Sequence, residues 1–140
     1  MKKFLMPAIL MFITAFVAFG FDYWYMDVEV ENLYSRTSSV QRVYFFKDIA
    51  TLERATGFPR NDTPGGVNRF EWKSSHGYKR QHDQNIFDVM RRDGFAAAFY
   101  CSSSGTAING KKYWTYTIFL IRNGLEYHDV KSRYDIPVKI

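Results

Sequence analysis

Two Asn-Gly dipeptides, Asn109-Gly110 and Asn123-Gly124, constrain this chain more than any other feature. Each separates runs rich in Thr, Tyr, Phe and Ile, and Asn-Gly tolerates the positive φ angles that a tight hairpin turn demands. The C-terminal half therefore reads as an antiparallel three-stranded meander near 95–108, 111–122 and 125–131. Two-residue turns predict its register. Ile108 should face Lys111, Cys101 should face Ile118 and Phe99 should face Leu120; past the second turn, Leu120 should face Tyr127 and Phe119 should face His128. Strand alternation then collects Phe99, Cys101, Trp114, Tyr116, Ile118 and Leu120 on one face. Tyr100, Ser102, Ser104, Thr115, Thr117 and Phe119 fall on the other, more polar face. The first face is expected to receive whatever helices the chain makes.

Two short helices are punctuated upstream. In the first, Asp48 is a suitable N-cap, Ile49, Leu52 and Ala55 share a face, and Gly57 fits the left-handed position just past the end. Phe58 can fold back on Leu52, and Pro59 bars continuation. In the second, Asp83 caps, Ile86, Phe87, Val89 and Met90 form the apolar face, Arg91 and Arg92 complement the C-terminal dipole, and Gly94 ends the helix. Val40 to Phe46 and Val67 to Trp72 read as strands, Asp27 to Val30 as a weak one, and Arg60 to Gly66 as a turn-rich loop. The predicted order is β-α-β-α-β-β-β. This is an α+β domain over residues 22–140, with a mostly antiparallel sheet and two short helices on one face.

The chain begins with Lys2 and Lys3, followed by an uncharged run from Phe4 to Phe21. At 1.5 Å per residue such a run makes about 27 Å of helix, close to the ~30 Å thickness of a bilayer's hydrocarbon. Positive charge before the run and none soon after orients the N-terminus inward and the bulk outward. Residues 1–21 are therefore expected to act as a signal peptide or a single transmembrane anchor. Ala18 and Gly20 suit cleavage, whereas the run's length and the aromatic residues Phe21, Tyr23, Trp24 and Tyr25 suit retention. In either case the domain is expected in the periplasm or outside the cell, tethered to the inner membrane if the segment stays.

The formal net charge of +5 includes those two lysines, so the remaining domain is only modestly basic and nucleic-acid binding gains little support. Aromatic residues make up 19% of the chain, enough to build a core in a small domain. Cys101 is the single cysteine, which excludes an intramolecular disulfide and any zinc site of clustered cysteines, and leaves pairing between chains as the one disulfide open to it. In the predicted register its thiol faces the core. The histidines and Cys101 have no close ligand spacing, and neither a metal nor a cofactor is expected.

His76 and His82 flank a basic stretch with Asp83 adjacent, ingredients that could serve acid–base hydrolysis, although six residues along a loop do not bring two rings together. His128 sits mid-strand with Asp129 on the opposite face, which suits a structural role. Ser102-Ser103-Ser104-Gly105 lacks the nucleophile-elbow pattern. The most suggestive surface is the stretch 60–82, where Arg69, Lys73, Lys79 and Arg80 interleave with Phe70, Trp72 and Tyr78. Aromatic and basic residues together suit glycans, anionic lipids or protein partners. The expected function is accordingly a non-enzymatic, exported or membrane-tethered interaction module that binds a protein or a cell-envelope component, such as an exclusion, inhibitor or lysis-control factor of bacterial or phage origin. The alternative is a small secreted hydrolase, a nuclease or wall-degrading enzyme, using histidine acid–base chemistry.

Overall fold

The computed structural model of the chain describes residues 2–4, 21–31, 37–58, 70–77, 84–132 and 138. The elements run β1 (Lys2–Phe4), β2 (Tyr23–Glu31), β3 (Ser38–Phe46), α1 (Ile49–Thr56), β4 (Phe70–Gly77), α2 (Gln84–Asp93), β5 (Ala97–Thr106), β6 (Lys112–Ile121) and β7 (Leu125–Ser132). The strands form a single sheet in the order β1-β2-β3-β5-β6-β7-β4. Every pairing from β2 to β4 is antiparallel, and β1 adds a short parallel strand against Tyr23, Trp24 and Tyr25. The chain is thus an α+β domain with an antiparallel sheet and two helices, as expected.

Residues 5–20, most of the expected signal or anchor segment, lie outside the described residues. Among the described residues no helix is long and apolar enough to cross a membrane. The pairing of Lys3 with Trp24 puts the two ends of that segment side by side on one sheet edge. A straight span would hold them about 27 Å apart, so β1 pairing and membrane insertion exclude one another in one molecule.

The first helix forms as its punctuation requires. Asp48 takes an extended backbone, its carboxylate accepts from the Thr51 N–H at 2.7 Å, and Gly57 adopts φ 76° while its N–H donates to the Glu53 carbonyl at 2.8 Å. Hydrogen bonds from the Thr51 hydroxyl and N–H hold the Asp48 carboxyl below its ordinary range. Phe58 then turns inward, with its ring centroid 4.9 Å from Phe70 and 5.1 Å from Phe99. The second helix buries Ile86, Phe87, Val89 and Met90 and stops at Gly94, where φ is 73°.

The two helices lie on opposite faces, which corrects the expectation of one shared face. Leu52 of α1 packs with Phe46, Phe99, Tyr116, Ile118 and Leu120. Met90 and the apolar face of α2 pack with Trp24, Phe45, Ala98, Tyr100 and Phe119. The face judged polar from Ser102, Ser104 and Thr115 is polar only toward the hairpin tip. Toward the sheet centre it carries large apolar side chains that need their own cover.

The register also departs from expectation, in a way that largely cancels. The first turn holds three residues, not two: Ala107 donates to Lys111 at 2.9 Å, and Gly110 takes φ 81°. A β-bulge between Cys101 and Ser103 then shifts the ladder again. Two single-residue shifts restore the parity of faces, so Phe99 faces Ile118 and stays on the α1 side as expected. Cys101 stays opposite Tyr116 but is exposed, correcting its expected core position. The second turn is also one residue longer, with Ile121 facing Leu125, and nothing compensates. His128 therefore lies opposite Ile118, on the α1 face, and Phe119 meets Tyr127 instead.

Candidate binding site on the edge strand

The strand expected over Val67 to Trp72 is described from Phe70 and runs on to Gly77. β4 spans Phe70–Gly77 and pairs with β7, so Trp72 lies opposite Val130, Ser75 opposite His128 and His76 opposite Tyr127. Lys73 is the extra residue where the register shifts between Trp72 and Ser74. β4 is the last strand of the sheet, and among the described residues no further strand pairs with its outer edge. Trp72, Lys73 and His76 therefore sit on a sheet edge. Arg69, Tyr78, Lys79, Arg80, His82 and Asp83 lie outside the described residues.

Phe70 departs from its expected place on the binding surface. It is wholly buried, with its ring 6.2 Å from Tyr116 and 4.9 Å from Phe58. A ring of this size at the start of an edge strand fixes the strand to the α1-side core.

Beside β4, a polar chain runs along β7 that the sequence did not bring together. Nε2 of His128 lies 3.3 Å from a carboxylate oxygen of Glu126, and Arg122 donates two hydrogen bonds to that carboxylate at 2.9 and 3.2 Å. Burial pushes the Glu126 carboxyl up, but the bonds and charge of Arg122, aided by His128, outweigh it and hold the group below its ordinary range. The imidazole is buried, with 4% of His128 exposed, so substrate has no direct approach to it. The contact with Glu126 orients the buried ring, and geometry of this kind suits a structural histidine. Asp129 points to the other face, as alternation requires, and accepts from the Thr117 hydroxyl at 2.8 Å.

Two further expectations can be placed. The exposed Cys101 has its sulfur 3.4 Å from the Ser103 carbonyl oxygen, and partial desolvation pushes the thiol above its ordinary value despite that bond. Ser102 donates to the Thr115 carbonyl at 3.1 Å, the cross-strand use expected of a hydroxyl within a hairpin. Among the described residues no three His, Cys, Asp or Glu side chains gather as metal ligands.

At the opposite end of the sheet Tyr25, Tyr44 and Arg42 form a half-exposed ledge. Its signal was the alternation of Tyr23, Tyr25 and Asp27 on β2, which is legible only once β3 is placed beside it. Compared with known protein families, curated proteins and solved structures, the chain matches none.

Proposed function

We propose that the chain is a non-enzymatic interaction module, exported through its apolar N-terminus and held at or released from the inner membrane, that binds a protein or cell-envelope component. The observation that carries this reading is the position of Trp72 and Lys73 on β4, the terminal strand of the sheet. A sheet edge offers unpaired backbone donors and acceptors at regular spacing, and an added strand can use them while side chains at alternate positions choose the partner. The basic residues Arg69, Lys79 and Arg80 flank that strand in sequence and favour an acidic partner surface. In this reading β1 leaves β2 when the apolar segment enters the bilayer.

The test has two arms. A reporter fused after Ile140 is active in the periplasm and silent in the cytosol if the chain is exported. A photo-crosslinker placed at residue 73 in intact cells captures one discrete partner, while the same group at Asp88, on the exposed side of α2, does not. Equal capture from both positions defeats the edge-strand reading. The hydrolase alternative is separated by His76→Gln and His82→Gln, which leave capture and phenotype intact in a binding module and abolish function in an acid–base enzyme.

A further inference from the structure

The two Asn-Gly turns differ in a way that their shared sequence does not show. Both are exposed, so water reaches each of them. In the first turn, the side-chain oxygen of Asn109 accepts from the Lys111 N–H at 3.1 Å, and the Gly110 N–H donates to the Ala107 carbonyl at 2.9 Å. In the second, the backbone bond across the turn runs from the Arg122 N–H to the Gly124 carbonyl at 3.3 Å. Among the described residues, neither the Asn123 amide nor the Gly124 N–H has a hydrogen-bond partner.

That difference bears on the chemistry by which an asparagine amide is lost. The nitrogen of the following residue attacks the asparagine Cγ, and a glycine there presents no Cβ to obstruct the approach. An N–Cγ bond forms, the bond from Cγ to the side-chain nitrogen breaks, and ammonia leaves with the proton that the backbone nitrogen gives up. Water then opens the cyclic imide at either carbonyl, leaving aspartate or isoaspartate. One water is consumed and one ammonia released, with no change of oxidation state. At Asn109 the side chain must first break from Lys111, and the Gly110 proton is engaged by Ala107. At Asn123 neither restraint exists. An added Cβ at Gly124 would meet nothing within 4 Å, so the approach is open as well.

We propose that Asn123 is a site of spontaneous modification, converting to aspartate and isoaspartate while Asn109 is protected, and that the conversion weakens the neighbouring Arg122–Glu126–His128 cluster. The new carboxylate lies one residue from Arg122, whose guanidinium donates to Glu126 at 2.9 and 3.2 Å. It competes for the same donors and repels the Glu126 carboxylate. Isoaspartate also routes the main chain through the former side chain, adding a carbon to the turn that sets Ile121 opposite Leu125. Both changes act on the end of the β6–β7 hairpin, where Glu126 meets the buried ring of His128 at 3.3 Å.

The full chain is aged in mildly alkaline buffer, folded in one sample and unfolded in guanidinium chloride in another, and its tryptic peptides are followed by mass spectrometry. Cleavage after Arg122 puts the two asparagines on separate peptides. Unfolded, the two pairs convert at similar rates. Folded, Asn123 converts at least about tenfold faster than Asn109, the scale of the hydrogen bonds that must yield first. As Asn123 converts, the melting temperature falls by about 4 °C, the scale of one weakened charged hydrogen bond. Asn123→Asp shows a fall without ageing, and Asn123→Gln, whose longer side chain closes the ring far more slowly, keeps its starting value. Equal rates at the two sites in the folded chain overturn the proposal, as do faster conversion at Asn109 and conversion of Asn123 with an unmoved melting temperature. None of these outcomes bears on capture from residue 73, so the interaction-module reading is tested separately.

Discussion

A single row of side chains crosses the sheet from Tyr25 through Tyr44, Phe99 and Ile118 to His128, and it ends in two polar clusters of opposite character. At the β2 end, Arg42 and Asp27 pair in solvent beside half-covered tyrosines. At the β7 end, Glu126 is only 22% exposed, and it links Arg122 to a buried imidazole. The chemistry is similar, a guanidinium on a carboxylate next to a ring, but the surroundings differ. Where water reaches both partners, the pair contributes little to stability and its groups remain available to a ligand. Where the carboxylate is more covered and also meets a buried imidazole, the same groups depend more on one another. The degree of exposure and the buried ring beside Glu126, more than residue type, separate the two clusters.

The strongest test of that contrast is the middle of the row, which both ends lean on. Phe99→Ala removes a ring that is 2% exposed and touches Tyr44, Phe46, Phe58 and Tyr116. It should cost about 3–5 kcal/mol in urea unfolding and loosen both clusters together. A loss below about 1 kcal/mol would mean that the row is not continuous.

Alkaline titration addresses the β2 end. Burial, and then the neighbouring Tyr44 and Tyr25, push Tyr23 up to about 12, and Tyr44 is raised as well. A raised folded pKa stabilises the native state fully below the unfolded value near 10, and that contribution disappears as pH climbs toward the folded value. Melting temperature should therefore fall between about pH 10 and pH 12, more steeply than in Tyr23→Phe, and ultraviolet absorbance should show delayed phenolate formation. Identical alkaline curves for the two proteins would show that Tyr23 does not carry the effect.

At the β7 end the sign reverses. The folded pKa of Glu126 is depressed, so its contribution is present above the ordinary carboxylate value and is lost as pH falls through the folded one. Glu126→Gln should destabilise by about 1 kcal/mol at neutral pH, discounted for partial exposure, and the gap to wild type should close below about pH 4. A gap that persists in acid would assign the loss to packing instead of charge. The smallest effect belongs to the exposed pair. Asp27→Asn should change stability by less than about 0.5 kcal/mol, with any difference screened out by 1 M salt, and a larger loss would erase the distinction between the two ends.

Much of the fold could be read locally. The caps of α1 lie within a few residues of one another, so Asp48, Thr51 and Gly57 place the helix without help from elsewhere. The meander followed from its turn residues in the same way. β4 was harder to see. Its sequence, Phe-Glu-Trp-Lys-Ser-Ser-His-Gly, has no apolar alternation after Trp72, and beyond that residue it becomes a strand through pairing with β7, a partner far away in the chain. Of the stretch expected to bind a partner, Trp72 and Lys73 lie on this strand, and Phe70 is buried in the core.

By itself the sequence determined that a three-stranded meander and two short helices would form, and which residues alternate along each strand, because caps, turns and pleats act over a handful of neighbours. The tertiary structure decided the register, the exposure of Cys101, the side on which His128 lies and the placement of one helix on each face. Asn-Gly favours a two-residue turn, but a three-residue turn with Gly in the left-handed position is the next most common connection. The choice falls to whichever register fills both faces of the sheet with apolar side chains, and that sum extends over the whole molecule.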